Sequence, residues 1–121
     1  MSLKTQDLFD VSNKVVVVTG GSRGIGEMIT SGFLANNSKV YITARKEEAL
    51  VKKAEELSQK YSCECIPVSG DISNSEGIDA LVNFLNDAEP EGIDFLINNA
   101  GAAWGANYDD FPETGWDKAM D

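Results

Sequence analysis

The sequence predicts an α/β fold in which helices cover both faces of a doubly wound parallel sheet. Three observations lead to this prediction. Short β-branched runs alternate with longer segments whose apolar residues recur at helical spacing. The first run contains four consecutive valines, Val15 to Val18, as expected for a parallel strand buried on both faces. A glycine-rich turn, Gly20 to Gly26, then connects this run to the first helical segment.

The first half of the chain is expected to contain two strands and two helices. Residues 15–19 form the first strand, and residues 24–36 form a helix that ends in a turn-prone Asn-Asn pair. Residues 40–42 form the second strand, and residues 46–60 form a charged amphipathic helix with a solvated polar face. Ile25, Ile29, Phe33 and Leu34 recur at helical spacing in the first helix, and Leu50, Ala54 and Leu57 are expected to face inward from the second.

The second half is expected to continue the same alternation. The third and fourth strands are predicted at residues 63–68 and 93–97, with a helix at residues 75–88 between them. Pro112 is expected to begin a last helix that the end of the chain cuts short. The third helix is expected to face inward through Ile78, Leu81, Val82 and Leu85.

The order of the strands follows from the handedness of their connections. Right-handed crossovers give the order 3-2-1-4 if the chain reverses direction after the third strand, as in Rossmann-type dinucleotide-binding folds. A flavodoxin-like order is the alternative. We expect an N-terminal arm at residues 1–13, and at residues 14–121 the N-terminal part of a single, incomplete Rossmann-type domain. The apolar fourth strand would leave a bare sheet edge in such a fragment.

Composition limits the classes of partner. The 121 residues carry a formal net charge of -10, which argues against nucleic acid as a partner. Residues 1–60 have a net charge of +2 and residues 61–121 a net charge of -12, so the first half is better suited to an anionic ligand. No apolar run has the length of a signal sequence or a membrane span, which predicts no membrane association and a cytoplasmic location.

The two cysteines, Cys63 and Cys65, lie one residue apart in the predicted third strand. Side chains at that spacing point to opposite faces of a sheet. We therefore expect two reduced thiols rather than a disulfide or a metal site.

The glycine-rich turn has the features of a pyrophosphate site. Glycines at positions 20, 24 and 26 permit a tight turn, close approach of a phosphate and close packing of the helix. The helix that follows supplies free N–H groups and the positive end of its dipole. A purely structural glycine turn is the alternative, although its position after the four-valine strand favours a nucleotide site.

Arg45 follows the second strand, where NAD enzymes place an acid that holds the ribose 2′-hydroxyl. An acid there would repel the extra phosphate of NADP, whereas a guanidinium can hold it with two hydrogen bonds. Arg45 therefore favours NADP(H), and Arg23 of the glycine turn could reach the same phosphate. Alternatively, each arginine is only a solvated surface charge.

Polar residues also follow the third and fourth strands. Asp71 can accept a hydrogen bond from the adenine amine while Ile72 packs on the ring, but Asp71 could equally form an Asx turn or begin a helix. After the fourth strand, the small residues of Asn98 to Gly101 let the chain run close to a cofactor ribose. For Asn98 itself, a structural role between neighbouring strands is the better interpretation.

These segments resemble the classical short-chain dehydrogenase/reductase family. Thr-Gly-x-x-x-Gly-x-Gly at residues 19–26 and Asn-Asn-Ala-Gly at residues 98–101 are together very specific to that family, and the match covers nearly the whole chain. The stretch Gly101 to Gly105, with Trp116 further on, looks most like the 3-oxoacyl-acyl-carrier-protein reductase branch and its rhamnolipid-pathway relatives.

The resemblance implies a cofactor site for NADP(H) and a reaction of the parent enzyme, hydride transfer from NADPH to a ketone such as a 3-oxoacyl thioester. The glycine turn would meet the diphosphate and adenosine, Arg45 the 2′-phosphate, Asp71 and Ile72 the adenine, and residues 99–101 the ribose on the nicotinamide side. The implied cofactor-binding residues are Gly20, Ser22, Arg23, Ile25, Gly26, Arg45, Asp71, Ile72, Asn99, Ala100 and Gly101.

The family's catalytic residues cannot be assigned in this sequence. They are an Asn, a Ser and a Tyr-x-x-x-Lys pair, expected beyond Asp121, and Tyr108 has a proline four residues on instead of a lysine. We therefore expect a fragment of an oligomeric reductase that is inactive alone and associates with its missing portion or with other copies. The alternatives are a non-catalytic nucleotide-binding module that pairs with a longer chain, and an S-adenosylmethionine site, which Arg45 disfavours.

Overall fold

A computed structural model describes residues 3–99 of the chain. A four-residue helix, α1, precedes a regular alternation of strands and helices. This helix lies within the segment predicted as an N-terminal arm. The elements are α1 (Thr5–Leu8), β1 (Val15–Thr19), α2 (Gly24–Ala35), β2 (Lys39–Ala44), α3 (Glu47–Tyr61), β3 (Cys65–Ser69), α4 (Ser75–Ala88) and β4 (Phe95–Asn98).

The four strands form one parallel sheet in the order β3-β2-β1-β4, which confirms the predicted order and excludes the flavodoxin-like alternative. The chain runs outward from β1 through β2 to β3, and then returns to place β4 on the other side of β1. Val17 is aligned with Tyr41 of β2 and with Leu96 of β4. The direction of winding therefore changes at β1, and a doubly wound sheet binds its ligands at the carboxyl ends of the strands at such a point.

One face of the sheet carries the main core. Val16 and Val18 of β1 and Ile42 of β2 are fully buried there, against α2 and α3. The ring of Phe33 on α2 stacks on Phe95 of β4, with centroids 6.1 Å apart. The buried members of this core are Val16, Val18, Leu34, Val40, Ile42, Leu50, Ala54, Leu57 and Cys65.

On the opposite face, α4 packs over β2. Tyr41 is buried there, its ring meets Phe84 edge to face, and its hydroxyl donates to Glu89 at the end of the helix. Burial and this carboxylate raise the pKa of the Tyr41 phenol. Glu89 also forms an ion pair with Lys39 of β2, with 2.7 Å between Nζ and Oε2. A polar cluster of Lys39, Tyr41 and Glu89 thus fastens the end of α4 to the second strand.

The inward face predicted for α4 is only partly correct. Leu81 and Leu85 are half-buried, but Ile78 and Val82 each remain 47% exposed, and no residue of α4 is fully buried. Sequence spacing identifies an apolar stripe, whereas its burial depends on what packs over it. Within residues 3–99, the side of α4 that carries Ile78 and Val82 stays open to solvent.

Strand β2 is longer than predicted at both ends, and two other strands begin two residues later than predicted. The third strand begins at Cys65 rather than Cys63, because Ser62 adopts a left-handed conformation (φ 52°) after α3 and turns the chain. Cys63 therefore lies outside the sheet, half-buried, and Cys65 is buried in the core; both are free thiols. The fourth strand begins at Phe95 rather than Ile93, and it follows a turn at Gly92 (φ 95°).

The helix predicted at Pro112 lies outside the described residues. No helix in the stretch from residue 3 to residue 99 is long and apolar enough to cross a lipid bilayer.

Candidate functional site

The glycine turn, Arg45, Asp71 and Asn99 follow the carboxyl ends of four different strands, which share one edge of the parallel sheet. Residues that are far apart in the sequence are therefore brought to the same end of the molecule. A doubly wound sheet binds nucleotides at this edge, because the loops and helix N-termini that follow the strands form a crevice there.

The glycine turn requires glycine at two positions for its backbone conformation. Gly20 (φ 66°) and Gly24 (φ 59°) both lie in the left-handed region, which residues with a side chain rarely adopt. The N–H of Gly20 donates to the carbonyl oxygen of Thr43 at 3.0 Å, and this bond fixes the start of the turn to the end of β2.

Gly26 is needed for a close approach. A Cβ atom at this position would overlap the carbonyl oxygen of Gly20 and would lie 2.6 Å from Nδ2 of Asn99. The first turn of α2 therefore packs directly on the glycine turn and on the residue after β4. This is the close packing of helix and strand that the predicted spacing required.

Two buried residues, Gly21 and Thr30, support the turn, and neither is among the site residues expected from the sequence. A Cβ atom on Gly21 would lie 2.6 Å from Cγ2 of Ile42 and 2.8 Å from Oγ1 of Thr30. The Thr30 hydroxyl is 2.8 Å from the carbonyl oxygen of Gly26 and 3.2 Å from that of Gly21, and donates toward both. The available signal was a hydroxyl at an inward position of a helix, which needs a nearby acceptor.

The outer surface of the turn faces solvent. Arg23 and Ile25 are exposed, Ile25 by 69%, and Ser22 is half-buried. Helix α2 begins at Gly24, and no side chain caps its N-terminus from the preceding Arg23. The first N–H groups of a helix have no partner within the helix and carry the positive end of its dipole, so this surface can receive an anion.

Arg45 is exposed immediately after β2, and the half-buried Asp71 follows β3. Oδ1 of Asp71 accepts hydrogen bonds from the N–H (3.0 Å) and the hydroxyl (2.6 Å) of Ser73. These bonds lower the pKa of the Asp71 carboxyl, and the positive charge of Arg45 lowers it further. Asp71 therefore does form an Asx turn, one of the two roles that the sequence left open, and it is ionised at neutral pH. Ile72, next to it, is half-buried.

Asn98 and Asn99 connect β4 to β1 through Thr19. The N–H of Asn99 donates to Oγ1 of Thr19 at 2.8 Å, and this hydroxyl lies 3.2 Å from Oδ1 of Asn98. The side-chain amide of Asn99 reaches the carbonyl oxygen of Gly20 at 3.4 Å. Asn99, which is predicted to lie on the nicotinamide side of the cofactor, therefore contacts the glycine turn. Ala100 and Gly101, predicted for the same side, lie outside the described residues.

Metal chemistry has no candidate in the described part of the chain. No group of three or more His, Cys, Asp or Glu side chains comes together among residues 3–99.

The parallel order β3-β2-β1-β4 and a glycine turn that leads into a helix N-terminus define a dinucleotide-binding α/β protein. The sequence also matches the profile of the short chain dehydrogenase family over residues 14–121. The chain belongs to this family.

Individual relatives agree with this assignment. The chain is 40% identical, over 112 residues, to the rhamnolipids biosynthesis 3-oxoacyl-(acyl-carrier-protein) reductase of Pseudomonas aeruginosa; the match covers 93% of this chain and 43% of that relative. The chain thus spans less than half the length of this relative.

Solved structures are similar in fold as well. The RhlG/NADP active-site complex of P. aeruginosa superposes with a TM-score of 0.81 at 39% identity, over 93% of this chain and 43% of that one. L-Sorbose reductase of Gluconobacter frateurii, complexed with NADPH and L-sorbose, superposes with a TM-score of 0.79 at 32% identity, over 90% of this chain and 42% of that one.

Proposed function

We propose that this chain binds NADP(H) at the carboxyl edge of its sheet and supplies the cofactor-binding half of a ketone reductase. The observation that carries the proposal is the position of Arg45. This cation directly follows β2, next to a glycine turn in which the Gly20 carbonyl packs against Gly26 in the first turn of α2. When it is bound, NADPH supplies the hydride for the reduction of a carbonyl group. The residues of this chain bind and orient it.

The diphosphate would lie on the glycine turn. Gly20 and Gly26 keep the backbone free of side chains, and the close contact between these residues leaves no space for a Cβ atom at 26. Ser22, Arg23 and Ile25 form the outer rim of the turn. The N-terminus of α2 provides N–H donors and positive potential that favour binding of the phosphates.

The adenosine end would lie across the ends of β2 and β3. Arg45 is suited to the 2′-phosphate, because a planar guanidinium can donate two parallel hydrogen bonds to it. Arg23 of the glycine turn would add a second positive charge for the same phosphate. Asp71 would accept from the adenine amine while Ile72 packs on the ring, and its Asx turn is compatible with this role because both bonds from Ser73 use Oδ1.

The ribose on the nicotinamide side would follow Asn99, Ala100 and Gly101. Asn99 is held at this point by its bonds to Thr19 and Gly20. Asn98 is mainly structural in this proposal, since its side chain accepts from Thr19 inside the sheet.

The proposed substrate class is a ketone, most closely a 3-oxoacyl thioester, because the P. aeruginosa relative is named as a 3-oxoacyl-(acyl-carrier-protein) reductase. The family's catalytic Ser and Tyr-x-x-x-Lys are not assigned to any residue of this chain. We therefore expect the 121-residue chain alone to bind NADPH without oxidising it in the presence of an acetoacetyl thioester. A cytoplasmic location remains a prediction from composition.

A fluorescence titration of the purified chain with NADPH, NADH and S-adenosylmethionine tests the proposed ligand. We expect saturable binding of NADPH, weaker binding of NADH and no binding of S-adenosylmethionine. Binding of S-adenosylmethionine alone would replace the proposal with a methyltransferase site. A folded chain that binds none of the three compounds would contradict it.

A second candidate function is a non-catalytic nucleotide-binding module that pairs with a longer chain or with further copies. It is favoured by exposed apolar residues on one side of the sheet, where Leu96 of β4 is 60% exposed and Val82 of α4 is 47% exposed. Co-purification of a longer reductase with the tagged chain would support this candidate, whereas a monomer at micromolar concentration would count against it.

A further inference from the structure

We propose that Gly77, in the first turn of α4, is a positioning residue for adenine: its close packing on the backbone of Asp71 holds the Asp71 carboxylate where the adenine amine needs an acceptor. The inference rests on the proposed function, because it concerns one end of the same cofactor site. Gly77 does not touch the cofactor in this proposal; it acts through Asp71.

The first observation is the contact between Gly77 and Asp71. A Cβ atom at position 77 would overlap the carbonyl oxygen of Asp71 and would lie 2.6 Å from its carbonyl carbon. Gly77 lies inside α4, in a helical stretch where alanine is intrinsically preferred over glycine. The absence of a side chain at this position therefore serves the close approach of the two backbones. An alanine would have to push either the helix or Asp71 out of place.

The second observation is the hydrogen bonding of the segment between these two residues. Asp71 accepts from both the N–H and the hydroxyl of Ser73, and the N–H of Gly77 donates to Oδ1 of Asn74 at 2.8 Å. Side-chain hydrogen bonds therefore stabilise the segment from 71 to 77 near both of its ends. Because both bonds from Ser73 go to Oδ1, the second carboxylate oxygen, Oδ2, can accept from a ligand.

The third observation connects this turn to the cation at the other end of the adenosine. The N–H of Gly70 donates to the carbonyl oxygen of Ala44 at 3.0 Å, so the residue before Asp71 is bonded to the residue before Arg45. This hydrogen bond therefore joins the two backbone segments that carry the proposed acceptor for the amine and the proposed donor for the 2′-phosphate. Displacing Asp71 would move its carboxylate away from the adenine amine of NADPH and would leave Arg45 in place.

The test compares NADPH with its hypoxanthine analogue, in which a carbonyl oxygen replaces the exocyclic amine of adenine. A carboxylate that accepts from the amine should disfavour the analogue, and we expect the wild-type chain to bind NADPH at least tenfold more tightly, since a hydrogen bond to a charged group contributes about 1.5–3 kcal/mol. Gly77→Ala should reduce this preference to about twofold or less. A general loosening of the fold would weaken the binding of both nucleotides and leave the ratio of their affinities unchanged.

Gly32→Ala is the matched control. It is also a glycine-to-alanine change within a helix, α2, but a Cβ atom there meets nothing within 4 Å. This variant should keep the full preference for NADPH. Thermal unfolding of each variant verifies that it is folded before the titrations are compared.

A second pair of variants covers the case in which Gly77→Ala does not fold. Ser73→Ala removes the hydroxyl bond to Asp71 and should lower the preference for NADPH, whereas Ser73→Thr keeps a hydroxyl and should restore it. The inference is overturned if Gly77→Ala, or in its place Ser73→Ala, discriminates as well as wild type. It is also overturned if the wild-type chain binds NADPH and the analogue equally. A wild-type chain that binds neither nucleotide would overturn the proposed function itself, which is a different result.

Discussion

The hydroxyl of Thr19 accepts a hydrogen bond from the backbone N–H of Asn99 at 2.8 Å, and this contact joins the end of β1 to the residue that follows β4. Asn99 in turn reaches the carbonyl of Gly20, so the two halves of the proposed cofactor site share a direct link. A hydroxyl suits this position because it can accept one hydrogen bond and donate another. Oδ1 of Asn98 lies 3.2 Å away and accepts the hydrogen bond from the hydroxyl.

Thr19→Val should therefore destabilise the chain and weaken NADPH binding together. The valine has the same shape but leaves the half-buried Asn99 N–H without its acceptor, which costs about 1–3 kcal/mol. Urea unfolding and an NADPH titration measure the two effects. Thr19→Ser retains the hydroxyl and should lie close to wild type, and equal losses in both variants would argue against the role of this hydrogen bond.

Arg45→Ala should change cofactor preference without changing stability. Loss of a guanidinium that meets the 2′-phosphate should weaken NADPH binding by about tenfold to a hundredfold, the effect of a charge-assisted hydrogen bond, while NADH binding stays the same. Lys52→Ala, which removes an exposed cation from α3, is the control for general charge effects. Parallel loss of NADPH binding in both variants would show that only net charge matters.

Thr30→Val should loosen the glycine turn from inside. The change preserves volume but leaves the carbonyl oxygens of Gly21 and Gly26 without the hydroxyl that donates toward them, in a fully buried place. We expect a loss of about 1–3 kcal/mol in the free energy of unfolding. Thr30→Ser should recover most of it, and a valine variant as stable as wild type would contradict the assignment.

Acid should release the cluster of Lys39, Tyr41 and Glu89. The hydrogen bonds from Lys39 and Tyr41 hold the pKa of Glu89 below its ordinary value of 4.5, so the stabilisation from this carboxylate is present above that pH and is lost as the pH falls through the lowered value. The partly exposed pair should contribute about 1 kcal/mol at neutral pH. Urea unfolding between pH 3 and pH 7 should show a shallower pH dependence for Glu89→Gln than for wild type.

The same cluster has an alkaline limit. The pKa of Lys39 lies above its ordinary value of 10.5, chiefly because of its bond to Glu89. The contribution of Lys39 to stability is therefore complete below pH 10.5 and disappears as the pH rises through the raised value.

Glu91→Gln, which removes an exposed acid just beyond the cluster, is the matched control for Glu89→Gln. An identical effect of the two substitutions would mean that the ion pair contributes nothing specific.

The two thiols should react at very different rates. Burial raises the pKa of Cys65 to about 12, whereas Cys63 is half-buried in the turn after α3. Since the thiolate is the nucleophile, iodoacetamide at pH 8 should modify Cys63 in the folded chain and Cys65 only after unfolding in urea. Peptide mass spectrometry distinguishes the two sites, and rapid labelling of Cys65 under native conditions would contradict its burial.

The strand order could be predicted from the sequence because Val15 to Val18 cannot be an edge strand and crossover handedness leaves few alternatives. The position of the glycine turn was equally accessible, since it lies between a strand and a helix. The interactions that stabilise the turn were not. A threonine at position 30 fits a helix as well as many residues do, and only the folded chain shows which carbonyl groups its hydroxyl reaches.

Strand boundaries and side-chain burial are harder to predict from the sequence for a related reason. The start of β3 depends on the left-handed conformation of Ser62, which is set by how α3 ends and not by the β-propensity of Cys63. The outward exposure of Val82 depends on what covers α4, which its own spacing does not encode. For Asp71 the sequence allows an Asx turn or an adenine contact; the two bonds from Ser73 show the Asx turn, and the adenine contact stays a prediction.

The contact between Thr19 and Asn99 spans 80 positions in sequence. During synthesis the glycine turn therefore leaves the ribosome well before the residue that secures it. Strands β1 and β2 can pair early, but the turn acquires its last partners only when β4 has added to the far side of β1. A nucleotide that needs both sides of this junction would bind the fully paired sheet and not the earlier, partly formed one. By mass action, cellular NADPH would then act on this chain as a folding ligand, drawing nascent molecules toward the completed sheet.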